Sequence, residues 1–93
     1  MVIWQIRAPE KFSKYLEDLP TNEREAFDRI VIDLGDSSDP RRLADEYVLT
    51  RRHGRVYTVR LSKSYRLAFR VYFREKILEM VSVGDHKLVY GKD

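Results

Sequence analysis

The sequence contains no cysteine, so neither a disulfide nor a thiolate enters its folding or its chemistry. It has no secretory apolar core and no apolar run near the ~18 residues that a membrane helix needs. A soluble, cytoplasmic protein of bacterial type with no membrane attachment is expected. It also lacks an HExxH motif, a Cys/His cluster and a carboxylate cluster, so neither a metal nor a cofactor is expected. Internal repeats and low-complexity tracts are missing too. What remains is a chain of 93 residues, read as one domain over 1–93 with a core large enough to fold alone.

Charge is present, and its placement is uneven. Residues 1–46 carry seven Lys/Arg and eleven Asp/Glu, a balance of −4, whereas residues 47–93 carry eleven and four, a balance of +7. The second half has the electrostatic footprint of a polyanion binder or of an ordinary solvated basic surface, and charge alone does not choose between them.

Val2 to Ile6 alternates as a short first strand, with Val2, Trp4 and Ile6 against Ile3 and Gln5. Pro9 suits the first turn of a helix, and Phe12, Tyr15, Leu16 and Leu19 follow at helical spacing until Pro20. Thr21 is placed to cap a second helix, with Glu23 and Glu25 in the turn where the helix dipole favours acids. Ala26, Phe27, Ile30, Val31 and Leu34 form its buried stripe, and Gly35 is placed to close it before the DSSDP loop. Joined by so short a corner, the two helices should pack as an antiparallel hairpin. Residues 41–55 read either as a short helical turn or as an irregular crossing, followed by a turn centred on Gly54.

From Val56 the period becomes two. Tyr65, Leu67, Phe69, Val71 and Phe73 share a core face, and Arg66, Ala68, Arg70, Tyr72 and Arg74 share a basic one. A loop at Ser62, Lys63 and Ser64 sets Leu61 against Tyr65, Val59 against Leu67, Tyr57 against Phe69 and Arg60 against Arg66. A turn at Arg74 and Glu75 sets Val71 against Leu78, Phe69 against Met80, Leu67 against Ser82, Arg70 against Glu79 and Arg66 against Val83. Arg70 then has a carboxylate partner and reads as structural. Arg60 and Arg66 have only each other, an arrangement that costs stability unless an anion binds between them.

The segment after Val83 emerges beside that pair and carries His86, Lys87 and Tyr90. Guanidinium groups hold a phosphate and stabilise the charge of a pentavalent transition state. An imidazole serves as acid or base near neutrality, and a tyrosine stacks on an unpaired base or binds a phosphate oxygen. Arg60, Arg66, His86 and Tyr90 are therefore the candidate catalytic set. Arg51, Arg52, His53, Arg55, Lys63 and Lys87 are the candidate RNA contacts. Such chemistry needs no metal, because the 2′-hydroxyl of RNA itself attacks the adjacent phosphorus. The competing reading makes the final segment a solvated tail, with His86 on the surface and Tyr90 only fastening the tail to the sheet.

The stretches VYTVRLSKSYRLAFRV and ILEMVSVGDHKLVY resemble the RelE/ParE toxin superfamily of toxin–antitoxin systems. The resemblance covers nearly the whole chain. It implies an α+β fold of order β-α-α-β-β-β, with a helical hairpin packed on a small, mainly antiparallel sheet. It also implies a metal-free endoribonuclease that cleaves mRNA, usually in the ribosomal A site, and is neutralised by a cognate antitoxin; free, it would be a monomer or weak dimer. Arg66 matches the family's arginine after Tyr, and Arg60 matches a basic residue of the preceding strand. His86 matches the Arg or His after the Val-Gly strand end, in the manner of YafQ-like members, and Tyr90 matches the closing aromatic. Thr58 stands where RelE-type members have a Lys, so the proton falls to His86 or His53, and the family's further C-terminal helix is expected to be absent. The alternatives are a ParE-like gyrase inhibitor, which requires no such cluster, and a catalytically degenerate binding module.

Overall fold

Trp4 is 1% exposed and its indole N–H donates to the Ser37 carbonyl at 2.7 Å, which pins the start of the chain to the end of the long helix. The computed structural model describes residues 3–91. Strand β1 is Gln5–Arg7, shorter than the alternation predicts, and Val2 lies outside the described residues. Helix α1, Phe12–Glu17, and helix α2, Thr21–Asp36, follow.

Two expected helix boundaries differ. Pro20, in extended geometry, is the residue that precedes α2, and Thr21 is its first helical residue with no side-chain cap, because Pro fixes the entry to the helix by its own φ. Gly35 lies inside the last turn and is buried, and its carbonyl accepts from the N–H groups of Ile3 and Trp4. Gly35 thus receives the N-terminal segment, and the helix stops one residue later.

Residues 40–50 divide into two structures. Asp39 caps a 3-10 turn, Pro40–Leu43, by accepting from the Arg41 N–H at 3.2 Å. Strand β2, Glu46–Thr50, then forms where the sequence suggests a short helical turn or an irregular crossing. Its apolar pattern is inverted: Tyr47 and Leu49 are exposed, whereas Thr50 is buried, so periodicity gave no core face to recognise. Thr50 Oγ1 donates to the Gly54 carbonyl and accepts from the His53 N–H, both at 2.9 Å. Gly54, at φ 75°, supplies the left-handed residue this turn needs.

Strands β3, Gly54–Arg60, β4, Tyr65–Tyr72, and β5, Ile77–Asp85, complete a sheet of order β1-β5-β4-β3-β2 in which only β1 runs parallel to its neighbour. The β3–β4 register is as expected, including Arg60 opposite Arg66. Between β4 and β5 it is as expected from Val71 to Phe69, and then a bulge leaves Val81 unpaired. Leu67 consequently meets Val83 instead of Ser82, and Arg66 meets Gly84 instead of Val83.

The main core joins α1 and α2 to one sheet face through Trp4, Phe12, Phe27, Leu34, Leu67 and Phe69. The other face is not simply basic. Val56, Ala68, Val81, Val89 and Tyr90 form a smaller cluster there, beneath a short helix α3, His86–Tyr90. The sequence reading places no helix over this segment. Asp85 caps it by accepting from the Leu88 N–H at 2.9 Å, and Gly91 ends it at φ 74°.

Candidate active site

The alternation of β3 puts Thr58 and Arg60 on the α3 face with Val56, and the pairing aligns Glu46, Thr58, Ala68 and Ser82 in one row across the sheet. Tyr90, 7% exposed, projects from α3 onto this row. Its hydroxyl donates to Glu46 Oε1 at 2.5 Å and lies 3.3 Å from Thr58 Oγ1, which itself donates to Glu46 Oε1 at 3.3 Å. Burial, and then the bond to Glu46, push the Tyr90 phenol above its ordinary pKa, against smaller opposing effects of Thr58 and Arg66. Tyr90 therefore stays protonated and holds the carboxylate in place.

His86 lies one helical turn before Tyr90, with ring centroids 4.1 Å apart. It is exposed, and with Glu46, Val48, Arg51 and Tyr90 it lines a cleft of about 510 Å³ between β2 and α3. A carboxylate acceptor and an imidazole thus open into one space.

Arg60, at the end of β3, and Arg66, at the start of β4, stand opposite each other. Among the described residues neither guanidinium has a carboxylate within ion-pairing distance. The Arg66 guanidinium donates to the carbonyls of Ser62, Lys63 and Tyr65 at 3.0 to 3.2 Å, which fastens the β3–β4 loop. The backbone N–H of Arg60 donates to Asp45 Oδ2 at 2.6 Å. Arg70, by contrast, pairs with Glu79 at 3.1 Å and donates to the His53 carbonyl.

The remaining candidates are dispersed. Arg51 lines the β2–α3 cleft, and its N–H donates to the Tyr90 carbonyl at 3.2 Å. Arg52 and Lys87 line a different cleft, of about 440 Å³, with Tyr15 of α1 and Asp18 just after it. Lys63 is exposed in the β3–β4 loop. Arg55 points to the opposite sheet face, 6.0 Å from the Tyr47 ring. His53 is half-buried with Nε2 lacking a partner, and burial first, then the charges of Lys11, Arg52 and Arg70, lower its pKa. Among the described residues no group of three or more His, Asp or Glu side chains is placed to hold a metal ion.

Glu46 is the site residue that the sequence reading missed. The available signal was the alternation of Glu46, Val48 and Thr50 against Tyr47 and Leu49, which makes a strand and sets Glu46 beside Thr58.

No protein-family model and no curated protein sequence matches the chain. Solved structures do. The archaeal RelE in the RelE–RelB complex of Pyrococcus horikoshii superposes with a TM-score of 0.70 at 19% identity, over 89% of this chain and 94% of that one. The toxin–antitoxin complex RelBE2 of Mycobacterium tuberculosis gives 0.68 at 22%, over 92% and 94%. YafQ of E. coli gives 0.59 at 12%, over 89% and 93%. Agreement over almost the full length of each shows the architecture they share: the chain has the fold of the RelE toxins.

Proposed function

We propose that this protein is the toxin of a type II toxin–antitoxin pair, an endoribonuclease that cuts mRNA in the ribosomal A site without a metal and is held inactive by a cognate antitoxin. The observation that carries the reading is the cross-strand pair Arg60 and Arg66, with no carboxylate on either guanidinium among the described residues, on the sheet face that bears Glu46 and receives α3 with His86 and Tyr90. A phosphodiester relieves the like-charge cost of the pair, and a phosphorane, which carries more negative charge, relieves it further.

In this mechanism the substrate 2′-oxygen bonds to phosphorus as the bond from phosphorus to the 5′-oxygen breaks. Glu46 takes the 2′-hydroxyl proton and His86 gives one to the leaving 5′-oxygen, so the products are a 2′,3′-cyclic phosphate and a 5′-hydroxyl. Tyr90 acts through Glu46 and is a positioning residue. Thr58, in the place of the family's Lys, serves the same carboxylate. The RelE fold supports the assignment, as does the antitoxin complex in which the P. horikoshii relative was solved.

Expression in a bacterial host without an antitoxin, followed by mapping of transcript 5′ ends, tests the reading. Growth arrest with transcripts cut within codons is expected. Arrest with intact transcripts and inhibited gyrase would transfer the protein to the ParE-like reading, and unimpaired growth would leave a binding module.

A further inference from the structure

The sheet face opposite α3 carries a second constellation that the cleavage chemistry does not use. Tyr57 of β3 packs against the main core, and Tyr47 stands beside it on β2 with ring centroids 4.4 Å apart. On its other side Tyr57 stacks on Phe69 of β4 at 5.8 Å with planes inclined by 27°. Phe69, Tyr57 and Tyr47 thus form a row of rings across three strands, and the row stops at the edge strand, where Tyr47 is 55% exposed.

A groove of about 260 Å³ runs beside it, lined by Arg41, Arg55, Arg70, Tyr47, Tyr57 and Phe73 among others, with no carboxylate in its lining. Arg41 covers the Phe73 ring at 4.4 Å and is paired with Asp39, and Arg70 is paired with Glu79. Arg55, exposed and 6.0 Å from the Tyr47 ring, is the groove's guanidinium without a carboxylate partner among the described residues.

We infer that this face is a stacking platform for single-stranded RNA: an unpaired base continues the ring row on Tyr47, and Arg55 holds the phosphate beside it. Rings presented in series at a sheet edge, next to a guanidinium that no described carboxylate pairs, match the π-faces and phosphates of a single strand. The basic lining complements a polyanion. This surface lies across the sheet from Arg60 and Arg66, so binding here does not depend on cleavage there.

Fluorescence anisotropy with the full chain and a 2′-O-methylated single-stranded RNA of about 12 nucleotides tests the inference, because that RNA cannot undergo 2′-hydroxyl attack. Tyr47→Ala should weaken binding about tenfold, and Tyr47→Phe should retain it. Tyr47→Leu, which keeps apolar bulk without a π-face, should behave like Tyr47→Ala. Arg55→Glu, an exposed change independent of the ring, should weaken binding and reduce the salt slope by about 0.7. Wild-type affinity in both Tyr47→Ala and Arg55→Glu would overturn the inference and leave the face to a protein partner. Wild-type affinity in Tyr47→Leu would also overturn it, because apolar packing would then suffice. Unmodified mRNA on programmed ribosomes, run in parallel, separates the two sites: mRNA left uncut there, with binding of the 2′-O-methylated RNA still dependent on Tyr47, refutes the ribonuclease reading and sustains the platform.

Discussion

The Tyr90 hydroxyl donates to Glu46 Oε1 at 2.5 Å, joining residues 44 apart in sequence and setting the carboxylate at the wall of the β2–α3 cleft. Tyr90→Phe removes that bond and keeps the ring. It should lower stability by about 1 to 2 kcal/mol in urea denaturation and reduce cleavage at least about tenfold, mostly in kcat. Glu46→Gln keeps the shape and removes the proton acceptor, so it should reduce kcat further than Tyr90→Phe does. The opposite order would mean that Tyr90 itself meets the substrate.

Gly84 determines whether α3 docks. A Cβ there would sit 2.3 Å from Leu88 Cδ2 and 3.3 Å from Leu88 Cβ, within the turn that carries His86 and Tyr90. Gly84→Ala should therefore cost about 1 to 3 kcal/mol by thermal unfolding and speed amide exchange at Val89. Adding Leu88→Ala makes room for the new methyl group and should recover much of the loss. A double variant no more stable than the single one would remove this explanation.

Arg60 is exposed and faces a like charge, so its presence opposes folding. Arg60→Ala should leave stability unchanged or raise it by about 0.2 to 1 kcal/mol, while cleavage falls about a hundredfold. A variant that loses stability and keeps activity would make Arg60 a structural residue.

His53 should tie stability to pH. Burial lowers its folded-state pKa, so the unfolded chain binds the proton more readily. Its contribution is fully present above the unfolded value of about 6.5 and is lost as pH falls through the lower folded value. Urea midpoints measured from pH 8 to 5 should fall toward acid for the wild type and fall less for His53→Gln. Parallel curves would show that other groups set the dependence.

Local pattern was enough where each side chain had one role. The β3–β4 register followed from Tyr57, Val59 and Leu67 meeting apolar partners, and that alone put Arg60 opposite Arg66. It failed where tertiary context changed the count. The bulge at Val81 moves the pairing of Leu67 and Arg66 by one residue, and no residue type there announces it. Glu46 went unrecognised because its strand exposes Tyr47 and Leu49 and buries Thr50, the reverse of an amphipathic strand. Arg51 and Arg55 both read as RNA contacts in the sequence, yet Arg51 lines the β2–α3 cleft and alternation sends Arg55 to the other sheet face.

The central claim, metal-free RNA cleavage organised by Arg66 and its neighbours, is tested most directly by incubating purified protein with mRNA-programmed ribosomes and then identifying the 3′ ends. Free divalent metals other than the magnesium the ribosomes require would be chelated. The account predicts 2′,3′-cyclic phosphate termini within A-site codons for the wild type, and at least a hundredfold fewer for Arg66→Ala and for His86→Ala. Intact mRNA with the wild type, or equal cutting by the wild type and by a variant carrying both Arg66→Ala and His86→Ala, would contradict it.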